Sequence, residues 1–170
     1  MKYQGYMNEG GETADNSQVA SYVARMRLAM SDSAYALSEA SLRLPFDEEL
    51  LRKSKILADR LAGPKIAYIL DIGIGGSNLG AKALYEATAG TLDAHTPFAP
   101  KMLFADTCAP ELIADITEVV LNEIVDKEEI IIIVASKSGT TTETITNASI
   151  IISLLEQKLG SLADRIVCIT

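Results

Sequence analysis

The segment Ile66-Ala67-Tyr68-Ile69-Leu70-Asp71-Ile72-Gly73-Ile74-Gly75-Gly76-Ser77-Asn78-Leu79-Gly80 decides the fold. Its first part, through Ile74, reads as a strand, and the unbroken apolar run Ala67 to Leu70 is what a strand covered on both faces requires. Glycines crowd the turn that follows, and helical spacing over Leu79 to Thr88 completes a strand-turn-helix unit. Downstream the unit recurs. Apolar runs at Met102 to Ala105, Ile130 to Ala135 and Ile166 to Thr170 are separated by helical patterns at Pro110 to Glu123 and Thr141 to Leu159. This alternation predicts an α/β fold, a parallel sheet with right-handed crossovers and helices on both faces.

Upstream of that segment the pattern is helical. Val19, Tyr22, Val23, Met26, Met30, Tyr35 and Leu37 predict one long helix or two short ones before Pro45. Asp47-Glu48-Glu49 opens another helix, with Leu50, Leu51, Ile56, Leu57 and Leu61 as its stripe, and Gly63-Pro64 closes it. The expected organisation is therefore an amino-terminal helical segment over residues 1–45 and an α/β domain over residues 46–170. Because the chain stops on a buried-type strand at Thr170, that domain is expected to be truncated at its carboxyl end.

Composition narrows the partners. At 170 residues and 48% hydrophobic, the chain can bury ~70% of the surface its unfolded form exposes, enough for one core. Its 23 acidic and 15 basic residues leave a net charge of −8, which argues against nucleic acid or anionic lipid as partners and requires a local site for any anion. Cys108 and Cys168 have no metal-ligand or redox spacing and read as small buried hydrophobes in a reducing compartment. The polar start lacks the features of a secretory signal, and Ile130 to Ala135 is far shorter than the ~20 apolar residues of a membrane-spanning helix. A soluble cytoplasmic protein is expected.

Two loops carry the chemistry. In the first, Asp71 to Gly80, glycines allow backbone N–H groups to approach an anion closely, and the following helix start adds partial positive charge. A dinucleotide fingerprint counted from Gly73 fails by one residue, since Asn78 stands where the third glycine belongs. A P-loop fails as well, because Ala81 follows Gly80 and Lys82 is displaced by one position. Asp106 is farther along than the ~20 residues expected of a ribose-binding acid and reads as a turn residue before the Pro110 helix. A tight turn that binds nothing is the plain alternative for the glycines. The second loop, Ser136-Lys137-Ser138-Gly139-Thr140-Thr141-Thr142-Glu143-Thr144, gathers hydroxyls around one cation at another helix start. Thr140 and Glu143 fit a capping box, which leaves Ser136, Lys137, Ser138 and Thr141 in need of another explanation. Several converging donors are what a phosphate requires. In an open parallel sheet both loops fall at its carboxyl edge, where ligands bind at a topological switch point.

Gly73-Ile74-Gly75-Gly76-Ser77-Asn78-Leu79-Gly80 and Ser136 to Thr144 resemble the two signature segments of the glucose-6-phosphate isomerase family, in the same order, within its first sugar-isomerase domain. The resemblance covers about Phe46 to Thr170, with Ala81 where many members have proline and Gly139 where many have phenylalanine. It implies that Gly76, Ser77, Ser136, Lys137, Ser138, Thr140 and Thr141 bind substrate. It implies interconversion of glucose 6-phosphate and fructose 6-phosphate in glycolysis and gluconeogenesis, with no metal or cofactor, by a protein that acts as a homodimer. The family's catalytic glutamate, histidine, lysine and arginine lie beyond Thr170, so no catalytic residue is expected in this chain and it is expected to be inactive alone. His95 reads as an ordinary loop residue. A non-catalytic sugar-phosphate sensor is the alternative, and a nucleotide-binding oxidoreductase is disfavoured by the failed fingerprint.

Overall fold

The computed structural model describes residues 16–89 and 100–170, and the chain divides into two units at Ala58 and Asp59. His95 and the first residues of the chain lie outside the described residues. In the first unit, helix α1 spans Asn16–Ser31, a 3-10 helix spans Ala40–Phe46 with Pro45 inside it, and helix α2 begins at Glu48 and runs to Leu61. Of the two expected arrangements, the broken one is realised. The break follows α1, where the Asp32 carboxylate accepts the Ala34 and Leu37 N–H groups and Tyr35 takes a left-handed backbone at φ 54°. Asp47 caps α2 by accepting the Leu50 N–H at 2.9 Å and also receives the Tyr35 hydroxyl at 2.6 Å.

The second unit runs β1 (Tyr68–Ile72), α3 (Leu79–Ala89), β2 (Lys101–Ala105), α4 (Pro110–Glu123), β3 (Ile130–Ala135), α5 (Thr142–Leu159) and β4 (Ile166–Ile169). All strand pairs are parallel and the sheet order is β2-β1-β3-β4. From β1 the chain steps to β2 on one side and then returns across to β3 on the other, so the order reverses at β1. Right-handed crossovers then put α3 on one face and α4 and α5 on the opposite face. Alternate residues follow. Tyr68, Leu70, Ile72, Ile130 and Ile132 pack with Ile113, Ile116, Val120 and Ile124, and with Ala148, Ile151 and Leu155, in one core. On the other face Phe104 meets Tyr85 of α3, ring centroids 6.1 Å apart, with the Lys82 ammonium 5.7 Å above it.

Two expectations are corrected. Asp71 belongs to β1, paired with Phe104 and Ile133, and is not part of the turn. Both cysteines are exposed, because Cys108 sits in the loop after β2 and Cys168 on the edge strand β4. The Cys108 thiol donates to Asn147 Oδ1 at 3.4 Å, while the Asn147 amide donates to the Thr107 carbonyl at 3.0 Å, fastening the β2–α4 loop to α5. Among the described residues no helix is long and apolar enough to cross a membrane.

Ile132 is fully buried between Leu70 and Ile166. Its replacement by alanine should cost about 2–5 kcal/mol of unfolding free energy, transfer and cavity terms together. Urea titration checks this, and a midpoint unchanged from the parent would contradict the assigned core.

Candidate functional site

Reversal of strand order opens a crevice between the carboxyl ends of β1 and β3, and both sequence-predicted loops leave from it. Ile72 pairs with Val134, so Gly73 comes to lie beside Ala135. A Cβ on Gly73 would stand 3.1 Å from the Ala135 carbonyl oxygen and 3.0 Å from the Ser77 Cβ, a space that only glycine leaves free. Beyond it Gly75–Ser77 form a single 3-10 turn, with Gly75 in the left-handed region at φ 57°. Ser77 and Asn78 N–H groups close that turn onto the Ile74 and Gly75 carbonyls, each at 3.2 Å. The N–H groups of Gly75 and Gly76 thus form the open, donor end of the turn. Both residues are exposed, and a Cβ on either would meet nothing within 4 Å.

The second loop supplies hydroxyls already set by one another. Ser136, at the end of β3 and 8% exposed, shares a hydrogen bond of 2.8 Å with the Thr141 hydroxyl. The Ser138 Oγ accepts both the N–H and the hydroxyl of Thr140, each at 3.1 Å, which leaves its own proton to donate elsewhere. Gly139, at φ 66°, returns the chain toward α5. Lys137 is exposed in this turn, with no protein partner among the described residues.

Helix α5 begins differently from the capping box read in the sequence. Its N-cap is Thr141, one residue later than expected, and no side chain among the described residues caps it. The Thr141 hydroxyl is drawn away to Ser136, while the Thr140 hydroxyl binds Ser138, so Glu143 is not engaged as a capping partner. The first-turn N–H groups of a five-turn helix are therefore left without a side-chain acceptor, beside the glycine turn and the Ser138 hydroxyl. Such a concentration of donors suits an anion with several oxygens. Gly76, Ser77, Ser136, Lys137, Ser138, Thr140 and Thr141 all lie on the two loops flanking the crevice.

Three functional features escaped the sequence. Asp106 acts neither as a simple turn residue nor as a free ribose acceptor, because Lys82 from the first turn of α3 pairs with it at 2.9 Å. The displaced lysine of the failed P-loop comparison was the available signal. Asn78 turns its amide back onto the Gly73 carbonyl at 2.6 Å and is 1% exposed. Asp71 is 2% exposed, its Oδ1 has no hydrogen-bond partner among the described residues, and burial pushes its carboxyl up to about 6. An acid inside an apolar strand was the signal there. Among the described residues no group of three or more His, Cys, Asp or Glu side chains is arranged to hold a metal ion.

Comparison with known proteins adds an independent line. A family model described as phosphoglucose isomerase matches residues 55–170. The glucose-6-phosphate isomerase of Chlamydia trachomatis serovar L2 is 36% identical over 123 residues, covering 72% of this chain and 21% of that protein. A crystal structure of a glucose-6-phosphate isomerase from Chlamydia trachomatis matches with a TM-score of 0.57 at 30% identity, over 84% of this chain and 26% of that one. A hypothetical protein from Thermus thermophilus, TM-score 0.63 and 23% identity over 90% of this chain and 35% of that one, shares the fold. The chain thus spans only a minor part, 21% in the first case, of the relatives it matches.

Asp71 makes stability depend on pH. Its folded value near 6 lies above the ~3.9 of an unfolded aspartate, so the folded chain holds the proton more tightly. The resulting stabilisation is fully present below about pH 4 and is lost as pH rises through about 6. Asp71→Asn, which cannot ionise, should lose less stability than the parent between about pH 5 and pH 8. Denaturation midpoints at the two values test this; parallel losses in parent and variant would refute it.

Proposed function

Because the chain belongs to the phosphoglucose isomerase family, we propose that its crevice binds the phosphate of glucose 6-phosphate and fructose 6-phosphate, within an aldose-ketose isomerase. The observation that carries this reading is the open amino end of α5. Its would-be capping hydroxyl is committed to Ser136, and the Gly75–Ser77 turn stands across the crevice. A phosphate there replaces the missing cap, taking N–H groups of α5, the hydroxyls of Ser136, Ser138, Thr140 and Thr141, the Gly76 and Ser77 turn, and the Lys137 ammonium. In this reading residues 46–170 form the phosphosugar-binding domain and residues 1–45 a helical segment before it. The complete protein works as a homodimer in the cytoplasm. A sensor role is not favoured, since the matched relatives are named as isomerases.

Gripping the phosphate equally in ground and transition states lowers the substrate concentration needed without hastening the proton transfer between adjacent sugar carbons. That step requires a positioned base and a charge-stabilising group at the carbons themselves, each contributing ~10²-fold or more. The donors gathered in this crevice are hydroxyls, amides and one lysine, a set suited to holding an anion.

Lys137→Ala and Thr141→Ala should each weaken fructose 6-phosphate binding by ~10-fold or more, the loss expected of a charge-assisted hydrogen bond. Calorimetric titration of the folded variants measures this, and parental affinity in both would exclude the site. The 170-residue chain alone should bind the sugar phosphate yet show no turnover in a coupled isomerase assay. Measurable turnover that disappears in Glu143→Gln would put the catalytic base within these residues.

A further inference from the structure

Asn78 makes a contact that the sugar-phosphate reading does not use. Its side-chain amide reaches back five residues to donate to the Gly73 carbonyl at 2.6 Å, and the side chain is almost wholly excluded from solvent. Its backbone is occupied as well: the N–H closes the 3-10 turn onto Gly75, and the carbonyl accepts the Lys82 N–H at 2.9 Å, the first bond of α3. One residue therefore joins the end of β1, the glycine turn and the start of α3. Gly73 is itself wedged against the Ala135 carbonyl, so the amide ties the turn to the strand end from which the hydroxyl loop departs.

We propose that Asn78 is a positioning residue for anion binding, holding the Gly75–Ser77 turn in the shape that presents its N–H groups to the crevice. This rests on the reading that the crevice takes a sugar phosphate. A glycine turn has few internal restraints, because glycine reaches left- and right-handed backbone with nearly equal ease. Here Gly75 at φ 57° and the exposed Gly76 lie between two fixed points, Gly73 and Asn78, and the side-chain bond holds those points together. Loss of the amide leaves the Gly73 carbonyl without this donor and lets the loop open. The donors of the turn then no longer converge with those of α5, and anion affinity falls even in a chain that remains folded. The residue that breaks the dinucleotide fingerprint is in this sense the one that shapes the turn for its own ligand.

Asn78→Asp makes the donor depend on pH. It preserves size and shape, but an ionised carboxylate only accepts and so faces the Gly73 carbonyl acceptor to acceptor, whereas the protonated acid restores an O–H donor. Charged neighbours on the adjoining elements are Asp71 on β1 and the pair of Lys82 on α3 with Asp106 just after β2. They are shared with the parent, as is the ionisation of the probe, whereas the new carboxylate adds its own repulsion of the anion, so an alkaline loss in Asn78→Asp supports the proposal only together with weaker binding by the uncharged Asn78→Ala. The full chain, its Asn78→Ala variant and its Asn78→Asp variant are titrated with fructose 6-phosphate from about pH 5 to pH 9, at a temperature where circular dichroism shows each folded. The expected result is at least about tenfold weaker binding by Asn78→Ala, and an Asn78→Asp affinity that approaches the parent at the acid end and falls away at the alkaline end. Parental affinity in folded Asn78→Ala, or an Asn78→Asp ratio that does not change with pH, overturns the proposal. Should Asn78→Ala not fold, the uncharged Asn78→Ser, whose hydroxyl is too short to reach the Gly73 carbonyl, takes its place, and parental affinity in it overturns the proposal. A parent that binds no fructose 6-phosphate refutes the sugar-phosphate reading and this inference with it, whereas binding by the parent with unaffected variants refutes this inference only.

Discussion

The close approach of Gly73 to Ala135 is the contact on which the rest of the site depends. Parallel pairing of β1 with β3 brings the two strand ends together, and the missing side chain at Gly73 lets the Ala135 carbonyl come within 3.1 Å of where a Cβ would stand. From that point the glycine turn and the hydroxyl loop diverge only far enough to leave a crevice between two helix starts. If the ends were held apart by a methyl group, the donors on each loop would still exist but would no longer address one ligand. Affinity for a small anion depends on this convergence more than on the number of donors.

Charge is organised locally against the chain as a whole. A net charge of −8 repels anions at a distance, so in the proposed reading any attraction at the crevice must come from oriented N–H groups, hydroxyls and Lys137. The polar groups nearby are arranged so as not to oppose it. Asp106 is neutralised by Lys82 at 2.9 Å. Thr141 serves the same end differently, since its hydroxyl bonds Ser136 and so leaves the α5 amides for an external acceptor.

The two faces of the sheet divide the work. One carries the aliphatic core, in which Leu70, Ile72, Ile130 and Ile132 are fully buried against α4 and α5. The other holds Asp71, Phe104 and the aromatic and cationic contacts of α3. The aliphatic core thus lies on one face, and the aromatic and cationic side chains of β2 and α3 lie on the other.

The sequence by itself determined the strand-helix alternation, the parallel sheet, and the position of the two loops at strand-to-helix junctions. Those features rest on local patterns: Ile130 to Ala135 is a strand and Pro110 to Glu123 a helix within the bounds their periodicity implies. Tertiary structure decided what depends on neighbours distant in the chain. Strand order β2-β1-β3-β4 is not written in any one segment, yet it places both loops at a single crevice. The capping pattern Thr140-x-x-Glu143 was locally sound and lost to competition, because Ser138 and Ser136 offered the two threonine hydroxyls other partners. Cys108 and Cys168 were read as buried from residue type alone, although exposure depends on whether an element lies at an edge or loop. Asn78, Asp71 and the Lys82–Asp106 pair acquired their roles only on folding, since a hydrogen bond, a desolvated carboxyl and an ion pair each depend on which groups the fold brings within a few ångströms.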